Sequence, residues 1–482
     1  MLRQFAGREF KRRFSTGIKT MPTKLTKLPN GIRVVTDEAP GHFSAMGIFV
    51  DAGSRYESQF PELTGHSHII DRLAFKSTSK FDGKSMVENT NHLGGNFMCA
   101  SSRESLIYQA SVFNKDVDKM AEILSSTVKE PLFTEEEVSN QIATADYELD
   151  ELWLQPDLIL PELSQQVAYG SKNLGSPLLC PKESLANISR ESLLKYREIF
   201  FRPENLVVAM LGVPHEKALE LVDKNLGDMK SVGSSPVVKE PAKYTGGELS
   251  LPPVPPMGGL PEFHHIYLTF EGVPVDSDDV YSLATLQMLV GGGGSFSAGG
   301  PGKGMYARAY TRVLNQYGFI ESCNSYIHNF SDSGLFGLSI SSIPQANKVV
   351  AELLGHELSC LFSENPGKGA LTNAEVNRAK NQLRSSLLMN LESKMVQLEE
   401  LGRHIQVYGR KVDVTEMCDK ISKVTKEDLV AIAKKVLTGS NPTIVVQGDR
   451  ESYGDIEGTL ASFGVGLDAA SKASKKKTRG WF

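Results

Sequence analysis

The residues best placed to do chemistry lie in one stretch, Leu63–Lys76, reading Leu-Thr-Gly-His-Ser-His-Ile-Ile-Asp-Arg-Leu-Ala-Phe-Lys. Its apolar spacing predicts a helix, with Thr64 as a side-chain N-cap. His68, Asp71 and Arg72 stand at i, i+3 and i+4, so they share one helix face. Two histidines and a carboxylate at that spacing would form a zinc hydrolase site. Here the second ligand position holds Arg72, whose guanidinium has no lone pair to offer and repels a cation. His66 does not replace it, because i and i+2 point to different faces. A histidine packed on an ordinary helix fits His68 equally well.

The stretch Gly65–Ser77 resembles the inverted zinc motif, His-x-x-Glu-His, of pitrilysin-like metallopeptidases. The run Leu73–Lys76 is similar to the processing-peptidase branch of that family. The resemblance keeps the first histidine as His68, puts Asp71 where the general-base glutamate belongs, and puts Arg72 at the second histidine. The family's third ligand, a glutamate further along, falls on Glu148. Catalytic zinc normally has three protein ligands. The resemblance therefore implies a non-catalytic member with no catalytic residue, no metal and no cofactor of its own. Arg72 is expected to pair with Glu148 or Asp71, filling by charge the place of the ion.

The second unusual stretch is Gly291–Gly304, GGGGSFSAGGPGKG, in which eight of fourteen residues are glycine. Glycine loses the most conformational freedom on ordering, so the run reads as a mobile loop and not as a helix or strand. It is not a phosphate-binding P-loop, because Ser297 and Gly304 stand where that pattern needs glycine and Ser or Thr. No Gly-x-Ser-x-Gly elbow passes through Ser295 or Ser297. A passive linker is the plain reading. A long loop between ordered segments is more often functional, and Phe296 suggests contact-making. The candidate binding residues are Gly291, Gly292, Gly293, Gly294, Ser295, Phe296, Gly299, Gly300, Gly302, Lys303 and Gly304.

The elements that must carry these residues form two related halves. The 482 residues suffice for two or three domains. Ser189–Gly212 reads as a capped helix followed by an apolar strand, and Thr425–Gly448 repeats that plan. The two caps, like the two glycines, are 236 positions apart, the mark of a domain duplication. Between the copies, Pro236–Pro261 holds seven of the 23 prolines and reads as an extended linker, poor in elements. The expected division is a targeting leader at 1–20, an N-terminal domain at 21–235, a linker at 236–262 and a C-terminal domain at 263–482. The expected fold is α+β: two homologous α/β-roll domains, each a mainly antiparallel sheet covered by helices.

Within the halves, strands are expected around the Asn30-Gly31 turn and at His42–Asp51, His264–Phe270, Phe319–Ile327 and Ser333–Ser341. Helices are expected at Lys115–Val128, Glu135–Glu151, Tyr281–Val290, Met305–Gly318, Asn347–Phe362, Asn373–Met389 and Glu392–Tyr408. Asp146, Glu148, Asp150 and Glu151 cluster on one of these, either as a solvated face or as a patch for a basic peptide.

Charge and cysteine usage narrow the function. The formal charge is −5. Residues 1–20 carry six basic residues and one acidic residue, so the remainder carries −10. An Arg-rich, acid-poor opening reads as a mitochondrial targeting peptide, or else as a plain basic tail. An acidic body disfavours nucleic acid and favours a basic partner. The five cysteines lie far apart, with no Cys-x-x-Cys pair, so neither a disulfide framework nor a thiolate zinc site is indicated. No apolar run reaches the length of a membrane span. The basic tail at 471–482 reads as a frayed end.

The glycine stretch, continuing as Met-Tyr-Ala-Arg-Ala-Tyr, is similar to the loop that marks non-catalytic subunits of the processing-peptidase branch. The resemblance implies a matrix heterodimer with a zinc-bearing catalytic beta subunit. It also implies basic, amphipathic presequences as ligands, which the loop helps to bind and pass on. A core subunit of the respiratory cytochrome bc complex shares the expected fold and is the structural alternative. An autonomous peptidase is disfavoured by Arg72.

Overall fold

The structure is a computed structural model that describes residues 22–38, 40–231, 237–256, 258–259, 261–295 and 305–467. The leader, the basic tail and the loop residues Phe296, Gly299, Gly300, Gly302, Lys303 and Gly304 lie outside the described residues. The first sheet is built from β1 (Lys24–Lys27), β2 (Arg33–Asp37), β3 (Phe43–Val50), β4 (Asn96–Ser101), β5 (Leu106–Phe113) and β6 (Leu206–Leu211). The second contains β7 (Gly247–Leu251), β8 (His264–Glu271), β9 (Gly292–Gly294), β10 (Ile320–Asn329), β11 (Gly334–Ser342) and β12 (Thr443–Gln447). Their orders are β1-β2-β6-β3-β5-β4 and β7-β12-β8-β11-β10-β9. The block β2-β6-β3-β5-β4 matches β7-β12-β8-β11-β10 strand for strand. The single parallel pair of each sheet falls at the same place, β2 with β6 and β7 with β12. Outside the shared block, β1 extends the first sheet at one edge and β9 extends the second at the other.

The repeated caps form as reciprocal boxes. Ser189 and Thr425 each accept from the backbone three residues on, at Ser192 and Asp428, and those side chains return the bond. Gly212 and Gly448, which close the repeated strands, both take positive φ (72° and 141°), a conformation that favours glycine.

Three segments differ from expectation. The proline-rich segment is not bare linker, because Gly247–Leu251 is β7, in register with β12. Local propensity reads its prolines correctly, but β7 lies between them and is held by an edge that is distant in sequence. Met305–Gly318 is helical only over Ala309–Leu314, and there it is wound as a π-helix, with Asn315 N–H donating to the Tyr310 carbonyl five residues back. The glycine stretch is not wholly a loop, since Gly292–Gly294 pairs antiparallel with β10.

The central strands β6 and β12 are buried along their whole length, so both faces of each sheet must be covered. One face of the first sheet, including Met46, Ile48, Val208 and Met210, meets that half's own helices. The other face presents Ala45, Phe49, Val207 and Leu211 to Leu398, Leu401 and Ile405. Those three come from the Lys394–Tyr408 helix of the second half. The second sheet repeats the arrangement in reverse. Ile266, Leu268, Ile444 and Val446 meet their own helices, while Tyr267 and Val445 meet Ile159, Leu160 and Leu163 of the Pro156–Ala168 helix from the first half. Gly402 permits the first exchange, for a Cβ there would lie 2.2 Å from the Phe49 ring.

A buried ion cluster joins the halves. The Arg55 side chain, 1% exposed, pairs with Glu104 at 2.8 Å and Asp332 at 2.5 Å, and donates to the Glu240 carbonyl at 2.7 Å. Glu104 also accepts from Ser331 N–H at 2.9 Å. Removing one partner of a buried pair strands the other charge and costs about 3 kcal/mol or more, whereas replacing the whole cluster by apolar residues costs less. Asp332→Ala should therefore lower stability by roughly that amount in urea unfolding, and Arg55→Met, which strands both carboxylates, should lower it by at least as much.

Candidate functional site

The motif helix is shorter than its sequence pattern, running from His66 to Arg72, and it does not start at a Thr64 cap. Thr64 Oγ1 instead donates to the Pro61 carbonyl at 3.0 Å. The N-cap is Gly65, with φ of 83°, and a Cβ there would lie 2.4 Å from Cys180 Sγ. The first-turn N–H groups are satisfied from outside the motif by Glu57, which accepts from Gly65 N at 2.7 Å and Ser67 N at 2.8 Å. Burial pushes Glu57 up to about 7, against the pull of those N–H groups. The sequence offered no pattern for this cap, because Glu57 is eight residues before Gly65.

Each motif side chain is occupied. Asp71 Oδ2 accepts from Ser101 N at 2.7 Å, which ties the helix to the end of β4. Arg72 and Glu148 form the expected pair in bidentate geometry, at 2.6 Å and 3.0 Å. Glu148 sits on the Glu135–Trp153 helix, and the Arg72 hydrogen bond holds its carboxyl below the usual range. His68 Nδ1 accepts the Cys180 N–H at 3.2 Å. Burial and the Arg72 charge lower its pKa, so the ring is neutral near pH 7. A neutral ring accepting at Nδ1 carries its proton on Nε2.

Zinc does not fit this arrangement. The nitrogen of His68 left free by Cys180 is protonated, residue 72 is a fixed cation, and the Glu148 carboxylate is engaged by both guanidinium nitrogens. Metal-binding histidines ordinarily donate from the second nitrogen, not accept. The pocket is thus closed twice, by Arg72 and by the backbone N–H of Cys180. Among the described residues one other group could hold a metal, His356, Glu357 and Cys360. The Arg312 guanidinium bonds Glu357 at 2.5 and 3.0 Å and approaches Cys360 Sγ at 3.4 Å, so a cation already fills it. In the acidic cluster, Lys182 pairs with both Asp146 and Asp150, at 3.1 and 2.7 Å, and Arg72 pairs with Glu148, so two cations offset part of its charge.

The described part of the glycine stretch is a rim. Gly291 ends the Asp279–Val290 helix with φ of 67°, and a Cβ there would lie 2.3 Å from Ala307. At Gly293 a Cβ would fall on the Tyr310 hydroxyl, 1.8 Å away. Ser295 is fixed to Glu321 by its N–H at 2.6 Å and by its hydroxyl at 2.9 Å. Beside this rim lies a cleft of ≈ 460 Å³, lined by Met288, Leu289, Tyr306, Arg378, Gln382 and Met389. A second cleft of ≈ 350 Å³ follows the end of the Asn373–Asn390 helix and includes Leu387, Val396, Glu399, Glu400 and His404, with Glu104 from the first half. Burial pushes Glu400 up to about 7. Burial, with nearby Lys411, lowers His404 to about 4, so the imidazole adds no positive charge near neutrality. Glu399 and Glu400 escaped the sequence reading. Their signal is an acidic pair on the helix face opposite Leu398, Leu401 and Ile405.

A duplicated α+β chain whose inverted zinc motif holds an arginine–glutamate pair has the layout of the pitrilysin-type peptidases. The comparisons agree. Residues 33–182 match the model of Insulinase (Peptidase family M16), and residues 187–383 match that of the Peptidase M16 inactive domain. A mitochondrial-processing peptidase subunit alpha of Neurospora crassa is 45% identical, over 88% of this chain and 86% of its own length. A probable one of Schizosaccharomyces pombe is 42% identical, over 91% and 88%. The human subunit is 35% identical, over 92% and 86%. A solved chain of Complex III2 from Candida albicans has the same fold, with a TM-score of 0.74 at 20% identity, covering 91% of this chain and 99% of that one. The chain belongs to the M16 peptidase family and, within it, to the mitochondrial-processing peptidase subunit alpha group.

A partly exposed pair of this kind is worth about 1 kcal/mol. Arg72→Ala and Glu148→Gln should each destabilise by about that much, and the double variant by little more than either, as measured in urea. Arg72→His should not retain stoichiometric zinc after dialysis, because His68 still presents a protonated nitrogen.

Proposed function

We propose that this chain is the non-catalytic, substrate-recognising subunit of a mitochondrial matrix peptidase. Its ligands are the basic amphipathic presequences of imported precursors, and its partner is a zinc-bearing catalytic beta subunit. The observation that carries this reading is the Arg72–Glu148 pair standing in the metal's place. A chain that cannot hold zinc contributes to proteolysis only by holding substrate or partner. The names of the relatives support the assignment, and so does the family model for an inactive domain.

The second cleft supports the ligand class. Leu387 and Val396 offer an apolar wall, and Glu399 and Glu400 offer carboxylates. An amphipathic basic segment needs both. Glu104, also in the lining, is already held by Arg55, and Arg403 lies 3.6 Å from Glu399. The glycine rim lies at the far side of the Asn373–Asn390 helix, next to the first cleft. The glycine residues from Gly291 to Gly304, with Phe296 and Lys303, are assigned to guiding such a segment toward the partner.

The scaffold alternative draws on the likeness to Complex III2, which at 20% identity speaks for the fold alone. Recovering this chain from detergent-free matrix extract with one metallopeptidase chain supports the proposal. Recovering it only in a haem-containing membrane complex overturns it.

Replacing Glu399 and Glu400 together by Gln should weaken binding of a presequence peptide to the assembled complex by roughly tenfold, measured by fluorescence anisotropy. Affinity should also depend on pH. Glu400 is protonated below about 7, and a guanidinium binds its ionised form. Affinity should therefore rise between about pH 6 and about pH 8, and Glu400→Gln should flatten that rise.

A further inference from the structure

We infer that the free edge of β9 is a main-chain docking rail, to which an extended stretch of the peptide ligand adds as one more strand. The inference rests on the proposed function for the class of ligand, and on the sheet register for the site.

The register pairs Gly292 with Asn324, Gly293 with Cys323 and Gly294 with Ser322. On either side, Ser325 N–H donates to the Gly291 carbonyl at 2.9 Å and Ser295 N–H donates to the Glu321 carbonyl at 2.6 Å. In an antiparallel ladder, inward-bonding residues alternate with outward ones. Gly291, Gly293 and Ser295 therefore face β10, and Gly292 and Gly294 turn their N–H and C=O groups to the open edge. Among the described residues no strand pairs with that side, since β9 ends the sheet. Natural edges are usually blocked by a lysine, a proline or a bulge; residues 291–295 contain none of these.

The composition of the edge suits this use. Three consecutive glycines put no side chain on either face of the sheet beside an incoming strand, and a Cβ at Gly294 would find nothing nearer than the Glu321 carbonyl at 3.8 Å. Main-chain pairing reads no side chains, so it accepts ligands of varied sequence. The two bonds from Ser295 to Glu321 fasten the end of the strand, and the Glu321 carboxylate adds a charge complementary to a basic ligand. At its start the rail adjoins Ala307, a residue of the ≈ 460 Å³ cleft. Alternate side chains of an added strand point to one face of the sheet, so the cleft can receive them.

The test uses the assembled complex and a fluorescent presequence peptide. Gly294→Pro removes the outward N–H and also fixes φ, whereas Gly294→Ala keeps the N–H and has room for its methyl group. Gly294→Pro should weaken the peptide about tenfold, and Gly294→Ala should change it less than about twofold. A second measurement needs no variant: peptides methylated in turn at each backbone nitrogen should show a loss of similar size at one or two adjoining alternate positions on the wild-type complex. Equal affinities for the two variants, or indifference to every N-methyl group, would overturn the rail. If the wild-type complex bound no presequence peptide at all, the functional reading itself would be the part that fails.

Discussion

Two sheets whose central strands are apolar on both faces cannot each be covered by their own helices, and the chain resolves this by exchange. The first half lends Pro156–Ala168 to the second sheet, and the second half lends Lys394–Tyr408 to the first. The hydrophobic effect thus fixes the relation of the halves, and the Arg55 cluster adds direction to it. This exchange also makes the surface that matters for function. The Lys394–Tyr408 helix presses Leu398, Leu401 and Ile405 onto the first sheet, so its neighbouring residues Glu399 and Glu400 must face the cleft between the halves. One face of that helix packs the first sheet and the other lines the cleft.

The degenerate metal site follows the same economy. An active site of this family would use a dication to tie the motif helix to the helix bearing Glu148. Here a guanidinium makes that link with two hydrogen bonds, and Asp71 and Glu57 fasten the motif helix to the edge strand and to its own first turn. The scaffold of a peptidase half is retained, with an ion pair where the family's motif places a metal.

Much of this was legible in the sequence, and the failures have physical causes. The duplication, the paired caps at Ser189 and Thr425, and the Arg72–Glu148 pair were readable because each rests on local pattern or on charge complementarity. Strand β7 was not, because its partner β12 is nearly two hundred residues away and its own composition argues against order. The Gly292–Gly294 strand was missed for the converse reason: glycine propensity says loop, but the flush packing of Gly292 against β10 and of Gly293 against Tyr310 tolerates only glycine. Thr64 looked like a cap because its spacing was right. The buried Glu57 took that role, and no local rule reports a carboxylate delivered from a preceding turn. The π-winding at Ala309–Leu314 likewise left no signature in apolar spacing.

The division of labour between a chain that grips and a chain that cuts is most directly tested by metal analysis coupled to turnover. Each chain is purified alone, the two are then mixed, and zinc content and presequence cleavage are measured on all three samples. The account predicts no zinc and no cleavage for this chain alone, and a single equivalent of zinc with full cleavage for the mixture. Stoichiometric zinc in this chain by itself, accompanied by cleavage, would contradict it.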